Sequence, residues 1–132
     1  MRVWADQIQP FKKQTNWLRP NILIRIISKS YKGGKYYDKY GVVQDSTPSN
    51  PIVKLQNHQI VDGVLAQYCE TVIPKRNGAV MVVLHSDQKL IGQLAILLET
   101  SPESYTALIQ LNSSFEVLTV KYDQICQFVD PE

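Results

Sequence analysis

Along residues 21–28, NILIRIIS, Ile22, Ile24 and Ile26 fall on one face, and Leu23, Arg25 and Ile27 fall on the other. Alternation of this kind in a β-branched run is the pattern of a strand, and Pro20 just ahead of it disfavours a helical start. Similar short runs follow. YGVVQD (40–45), PIVKLQ (51–56) and QIVDGV (59–64) read as strands separated by STPSN and NH, with Pro48 and Asn50-Pro51 marking a turn. QYCETVIP (67–74) reads as a single helical or 3-10 turn that stops at Pro74. After a turn at KRNG (75–78), the strand pattern resumes in AVMVVL (79–84), QLAILLET (93–100), YTALIQL (105–111) and FEVLTVKY (115–122), joined by HSDQKLIG, SPES and NSS. The chain closes on DQICQFVDP, and no segment carries a long helical period. Residues 1–16 show neither period and read as a tail or lead-in.

The order of these elements repeats. Each half runs from an apolar strand through a polar loop ending in glycine (Gly41, Gly92) into three further strands. Each then closes on a cysteine-containing segment, QYCETVIP in one and QICQFVDP in the other. Five short strands in about 55 residues is the size of a small SH3-like barrel. The expected fold is therefore all-β, two tandem SH3-like barrels at 17–74 and 79–132 joined by the linker 75–78. So short a linker favours docked barrels. Leu23 and Ile27, apolar on the second face of the first strand, would be wasted on solvent, so at least one of them is expected between the halves. Trp17, immediately before that strand, is expected to plug a barrel end.

Charge changes the picture. The 132 residues are 44% hydrophobic with a net charge of +2, but the charges are segregated. Residues 1–40 carry nine basic groups against two acids, whereas the remaining residues carry five against ten. A basic end of this kind is the footprint of a polyanion-binding face, or else a solvated surface. No apolar run is long enough to span a membrane and no signal-peptide region is evident, which leads to the expectation of a soluble intracellular protein without membrane contact. Cys69 and Cys126 lack metal-ligand spacing and are expected in the core, so neither a metal nor another cofactor is expected. Neither His58 nor His85 has a serine, cysteine and acid arrangement around it, and Ser86-Asp87 after His85 is ordinary turn chemistry, so the chain is not expected to be an enzyme.

The densest chemistry lies in YKGGKYYDKYG (31–41), with three lysines, four tyrosines and a Gly-Gly pair. It lacks the spacing and the helix of a phosphate-binding loop. A cage for a methylated lysine needs several converging aromatics, which Tyr31, Tyr36, Tyr37 and Tyr40 supply, but three lysines in the same loop oppose a cationic ligand. RNA binding needs cations for phosphates and π-faces for bases, and this loop has both. The candidate RNA-binding set is Arg25, Lys29, Lys32, Lys35, Tyr36, Tyr37, Lys39, Lys75 and Arg76, with Tyr31 and Tyr40 assigned to packing at the loop ends.

VMVVLHSDQKLIGQLAIL (80–97) resembles a KOW motif, an apolar strand, polar loop, glycine and second apolar strand. The wider stretches WLRPNILIRIISKSYKGGKYY, ETVIPKRNGAVMVVL and VKYDQICQFV resemble the C-terminal region of the G-patch and KOW-domain proteins of the spliceosome, the GPKOW family. A more distant similarity is to the tandem SH3-like region of KIN DNA/RNA-binding proteins. The resemblance covers residues 17–129. It implies a nuclear, monomeric pre-mRNA splicing factor module that binds RNA and sits among spliceosomal proteins. Docking of protein partners and methyl-lysine reading remain as alternatives. In that family a DEAH-box helicase contacts the G-patch. This chain contains no G-patch, is expected to be a piece of a longer protein, and inherits no helicase contact. One departure is His85-Ser86, where the KOW loop commonly has glycine.

Overall fold

The structure is a computed structural model that describes residues 16–45, 47 and 50–131. The expected tail at 1–16 therefore lies outside the described residues save for Asn16, as does most of the STPSN turn. Strands β1 (Leu23–Ile26), β2 (Tyr40–Asp45), β3 (Ile52–Leu55), β4 (Ile60–Val61) and β5 (Cys69–Thr71) form one antiparallel sheet in the order β4-β3-β2-β1-β5. Strands β6 (Ala79–Val82), β7 (Leu94–Ser101), β8 (Thr106–Leu111), β9 (Val117–Lys121) and β10 (Ile125–Gln127) form a second in the order β10-β6-β7-β8-β9. With β6 matched to β1, the two orders are the same. The repeat read in the sequence is a repeat of fold: an all-β chain made of two docked, SH3-like five-stranded barrel units.

The closing segments differ from expectation in one respect. QYCETVIP is not a single turn: a 3-10 turn at Ala66–Tyr68 leads into β5, and the second half repeats this with a turn at Tyr122–Gln124 leading into β10. Strands of three residues have no period of their own. They form because β1 and β6 offer unpaired edges, taken up through Ile26↔Cys69 and Met81↔Cys126.

The loop glycines also need correction. Asp38 N–H donates to Ile26 O and Ile26 N–H to Lys39 O; in the second unit Gly92 N–H donates to Val82 O and Val82 N–H to Gln93 O. Gly92 thus corresponds to Asp38, not to Gly41. Both Asp38 and Gly92 are left-handed, at φ +66° and +92°. Gly41 lies inside β2 and is glycine for another reason: a Cβ there would sit 2.5 Å from Val53 Cγ1.

Ile22, Ile24 and Ile26 are fully buried, as their alternation requires. With Val43, Val53, Leu55 and Val64 they build the first core, against which Trp17 packs. Val80, Val82, Ala95, Leu97, Ile109 and Ile125 build the second. The units are docked by shared groups. Val83 and Cys126 of the second half belong to the first core. Ile22 bridges Phe128, Val129 N–H donates to Asn21 O at 2.8 Å, and Gln127 N–H donates to Val72 O at 2.7 Å. Leu23 lies at this junction, its carbonyl accepting from the Cys126 thiol at 2.9 Å. Ile27 does not: it is exposed, because beyond Ile26 the chain leaves the sheet edge for the loop. Both cysteines are free and buried, as expected. The KRNG turn is pinned to the second unit, where Asn77 N–H donates to Leu97 O and Arg76 Nε to Leu98 O.

Candidate nucleic-acid interface

The loop between β1 and β2 is folded rather than open. It enters through a 3-10 turn at Tyr31–Gly34 whose start is held by the Ser28 hydroxyl, which accepts from Tyr31 N–H at 2.9 Å. Further turns follow, with Tyr37 N–H bonded to Gly34 O and Lys39 N–H to Tyr36 O. Two tyrosines anchor these turns. Tyr31 is buried, donates its hydroxyl to Asp62 O, and stacks 5.3 Å from Tyr68. Burial, then the nearby Asp62 carboxylate, pushes its hydroxyl up to about 12. Tyr36 is only 7% exposed, and its hydroxyl accepts from Gln59 Nε2 at 2.8 Å.

This placement redistributes the predicted roles. Tyr36 is a loop anchor, so its face is not free to stack a base. Tyr40, assigned to packing, is 36% exposed, and Tyr37 is 40% exposed. Tyr37 and Tyr40 are thus the loop tyrosines whose faces stay accessible. Arg25 is committed as well. Its guanidinium donates to Glu70 through Nε and NH2 and to Asp38 through NH1, and these bonds, that to Glu70 foremost, drive its pKa upward. It fastens the loop exit to β5 and has little left to offer a phosphate.

The lysines remain outside. Lys29 lies 5.3 Å over the Tyr37 ring and Lys35 lies 5.5 Å over Tyr36, while Lys32 reaches Asp62 at 3.4 Å. Lys39 is exposed. The register of β5 against β1 carries the chain beyond Thr71 away from this loop, so Lys75 and Arg76 lie toward the opposite end of β1.

Beside the loop is a groove of about 340 Å³ lined by Lys35, Tyr36, Lys39, Tyr40, Leu55, Gln56, Asn57 and Gln59. Its wall pairs two lysines and an exposed tyrosine with the amides of the β3–β4 turn, which lies across from the loop because β2 pairs with β3. The Asn57 side-chain oxygen accepts from Gln59 N–H at 3.0 Å. Gln56 and Asn57 escaped the sequence analysis, although the polar run QNHQ (56–59) between two apolar strands was visible. The corresponding loop of the second unit, around the turn Gln88–Leu90, has Lys89 but no tyrosine. There Asp87 N–H donates to His85 Nδ1, and Asp87 accepts from Lys89 N–H, ordinary turn chemistry. Among the described residues no cluster of three potential metal ligands exists, and no helix is long and apolar enough to cross a membrane.

Comparison with known proteins identifies the family. The family described as GPKOW C-terminal domain matches residues 22–130. The chain is 36% identical over 115 residues to the G-patch domain and KOW motifs-containing protein of Xenopus laevis, covering 85% of this chain and 23% of that protein. It is 30% identical over 121 residues to the human protein of the same name, covering 90% and 25% respectively. It is 30% identical over 125 residues to Protein MOS2 of Arabidopsis thaliana, covering 93% and 26%. The chain thus spans about a quarter of the length of these relatives. The match takes in both barrel units, from the first buried isoleucine ahead of β1 to the residues beyond β10, and on that extent the chain belongs to the GPKOW C-terminal domain family.

Proposed function

We propose that this chain is the RNA-binding module of a nuclear pre-mRNA splicing factor, a non-enzymatic part that works beside spliceosomal proteins. The observation that carries the proposal is the groove in which Lys35 and Lys39 stand next to exposed Tyr40 and the amides of Gln56 and Asn57. Lysines meet phosphates without reading sequence, a tyrosine face accepts any base, and amides hydrogen-bond base edges. Single-stranded RNA presents all three partners at once. Lys29, Lys32 and Tyr37 extend the same surface. Lys75 and Arg76 make a separate contact, if the strand continues across the junction. The helicase contact known for the family's G-patch is not assigned to these residues.

RNA affinity measured at several salt concentrations tests this. Replacing Lys32, Lys35 and Lys39 with glutamate is expected to weaken binding across all sequences and to make log affinity less steep in log salt by roughly 0.7 for each lysine–phosphate pairing removed. Tyr40→Ala is expected to leave that slope in place and to cost about 1 to 3 kcal/mol if a base stacks there. If the glutamate variant keeps its melting temperature and binds RNA as the parent does, the loop is not the RNA site.

A further inference from the structure

A second groove, of about 510 Å³, lies between the two units. Trp17, Glu70 and Thr71 line it from the first unit, and Tyr105, Tyr122 and Asp123 from the second. The Tyr105 and Tyr122 rings meet edge to face, centroids 6.0 Å apart at 84°, so they present two nearly perpendicular walls. The units are tied at this seam by the Thr71 hydroxyl, which donates to Tyr122 O at 2.9 Å.

The charge of the groove is one-sided. Its ionisable lining groups besides the tyrosines and Cys69 are the carboxyls of Glu70 and Asp123, with no lysine or arginine among them. Arg25 stands behind Glu70 but is shared with Asp38, so that cluster of two acids and one base stays negative. Lys121 lines an adjoining hollow that shares Tyr105, Tyr122 and Asp123 with this groove.

Tyr105 is fixed beside Tyr122. It is left-handed, at φ +55°, yet 69% exposed. Its carbonyl accepts from Tyr122 N–H at 3.0 Å, which holds the two aromatics together. The conformation belongs to the β7–β8 hairpin turn, and Phe115, at φ +61°, takes it in the β8–β9 connection; what sets Tyr105 apart is its contact with Tyr122.

We propose that this groove binds a cationic side chain, lysine or arginine, presented by a partner polypeptide. Three aromatic side chains line the groove together with two carboxyls, and aromatic rings and carboxylates both attract a cation. The same carboxylates repel a phosphate backbone, which makes nucleic acid the wrong occupant. Tryptophan and tyrosine at a polar-rimmed hollow are also the residues that dominate the energy of protein interfaces.

The test is NMR titration of the full chain with short, otherwise uncharged peptides carrying a single lysine, trimethyllysine, arginine or norleucine. A uridine oligonucleotide serves as the nucleic-acid arm. Cationic peptides are expected to shift the Trp17 indole and Tyr122 resonances and to bind about tenfold more tightly than the norleucine peptide, as expected for an aromatic-lined cation site. Tyr105→Ala is expected to weaken them about tenfold, and Asp123→Asn to weaken them less while reducing their salt dependence. Both side chains are on the surface, so folding is expected to survive. The affinity order among lysine, trimethyllysine and arginine tells which cation the site takes. The glutamate variant of the RNA loop is expected to keep this binding, so the two sites succeed or fail separately. Equal affinity for norleucine overturns the proposal, and so does an oligonucleotide that moves the Trp17 and Tyr122 resonances when cationic peptides do not.

Discussion

Gly92 and Asp38 occupy one position in two copies of the same loop, and both take a left-handed backbone. Asp tolerates that conformation moderately and glycine freely, whereas a β-branched residue does not. A Cβ on Gly92 would meet only Arg19 NH1, at an ordinary 3.5 Å, and the carbon behind it, so the dihedral alone makes the position restrictive. Gly92→Val is therefore expected to cost about 1 to 3 kcal/mol, read as a lower midpoint in chemical denaturation; an unchanged midpoint would contradict this. The buried titratable groups set a second expectation. Burial pushes the Cys69 and Cys126 thiols up to about 12, and the Tyr31 hydroxyl reaches about 12 for the same first reason. Each group gives up its proton less readily in the folded chain than in the unfolded one. The stability they contribute is complete below about pH 9 and is lost as pH rises from 9 toward 12. Urea midpoints are expected to be insensitive to these groups at neutral pH and to fall through that alkaline window. Joint replacement of the cysteines by alanine is expected to make the fall shallower.

At the scale of elements, the short closing strands matter more than their length suggests. β10 supplies Cys126 to the first core, pairs with β6, and lies beside the Ile22–Phe128 bridge. Removing it opens an edge in the second unit and a cavity in the first, and deletion of a buried side chain alone costs several kcal/mol. A chain ending at Gln124 is expected to lose cooperative unfolding in both halves, seen as the loss of dispersed methyl and amide resonances. If the first unit kept its native spectrum, β10 would be an accessory to the second unit only. The β1–β2 loop shows the same logic in a surface element. Buried Tyr31 and Tyr36 hold a fixed scaffold, and that scaffold keeps Lys35, Lys39 and Tyr40 around one groove.

For the molecule as a whole, the groups shared across the junction decide whether there are one or two folding units. Backbone bonds from Val129 and Gln127, the Cys126 thiol bond to Leu23, and Val83 in the first core all cross it. Calorimetry is expected to show a single transition whose van't Hoff and calorimetric enthalpies agree. Two resolved transitions would mean that the units fold independently. The same docking creates the acidic, aromatic groove at the seam while the basic loop stays on the first unit.

The alternation in 21–28, the repeat closing in QYCETVIP and QICQFVDP, and the lysine and tyrosine density of 31–41 are properties of the chain order. They were enough for the fold class, the duplication, the buried isoleucine face and the family. These signals are local: periods, turn residues and composition survive in a linear reading. The three-residue strands β5 and β10 were not legible, because such strands exist only where a distant edge awaits them. The roles inside the loop were not legible either. Tyr36 and Tyr40 are the same residue type four positions apart, yet Tyr36 joins the first core beside Tyr31 and bonds Gln59 from the β3–β4 turn, while Tyr40 stays exposed at the groove. Arg25 looked like a free cation until Asp38 and Glu70, 13 and 45 residues away, were brought to it. Side-chain function in this protein depends on partners that antiparallel pairing and the docking of two units bring together across long stretches of chain, and no local pattern carries that information.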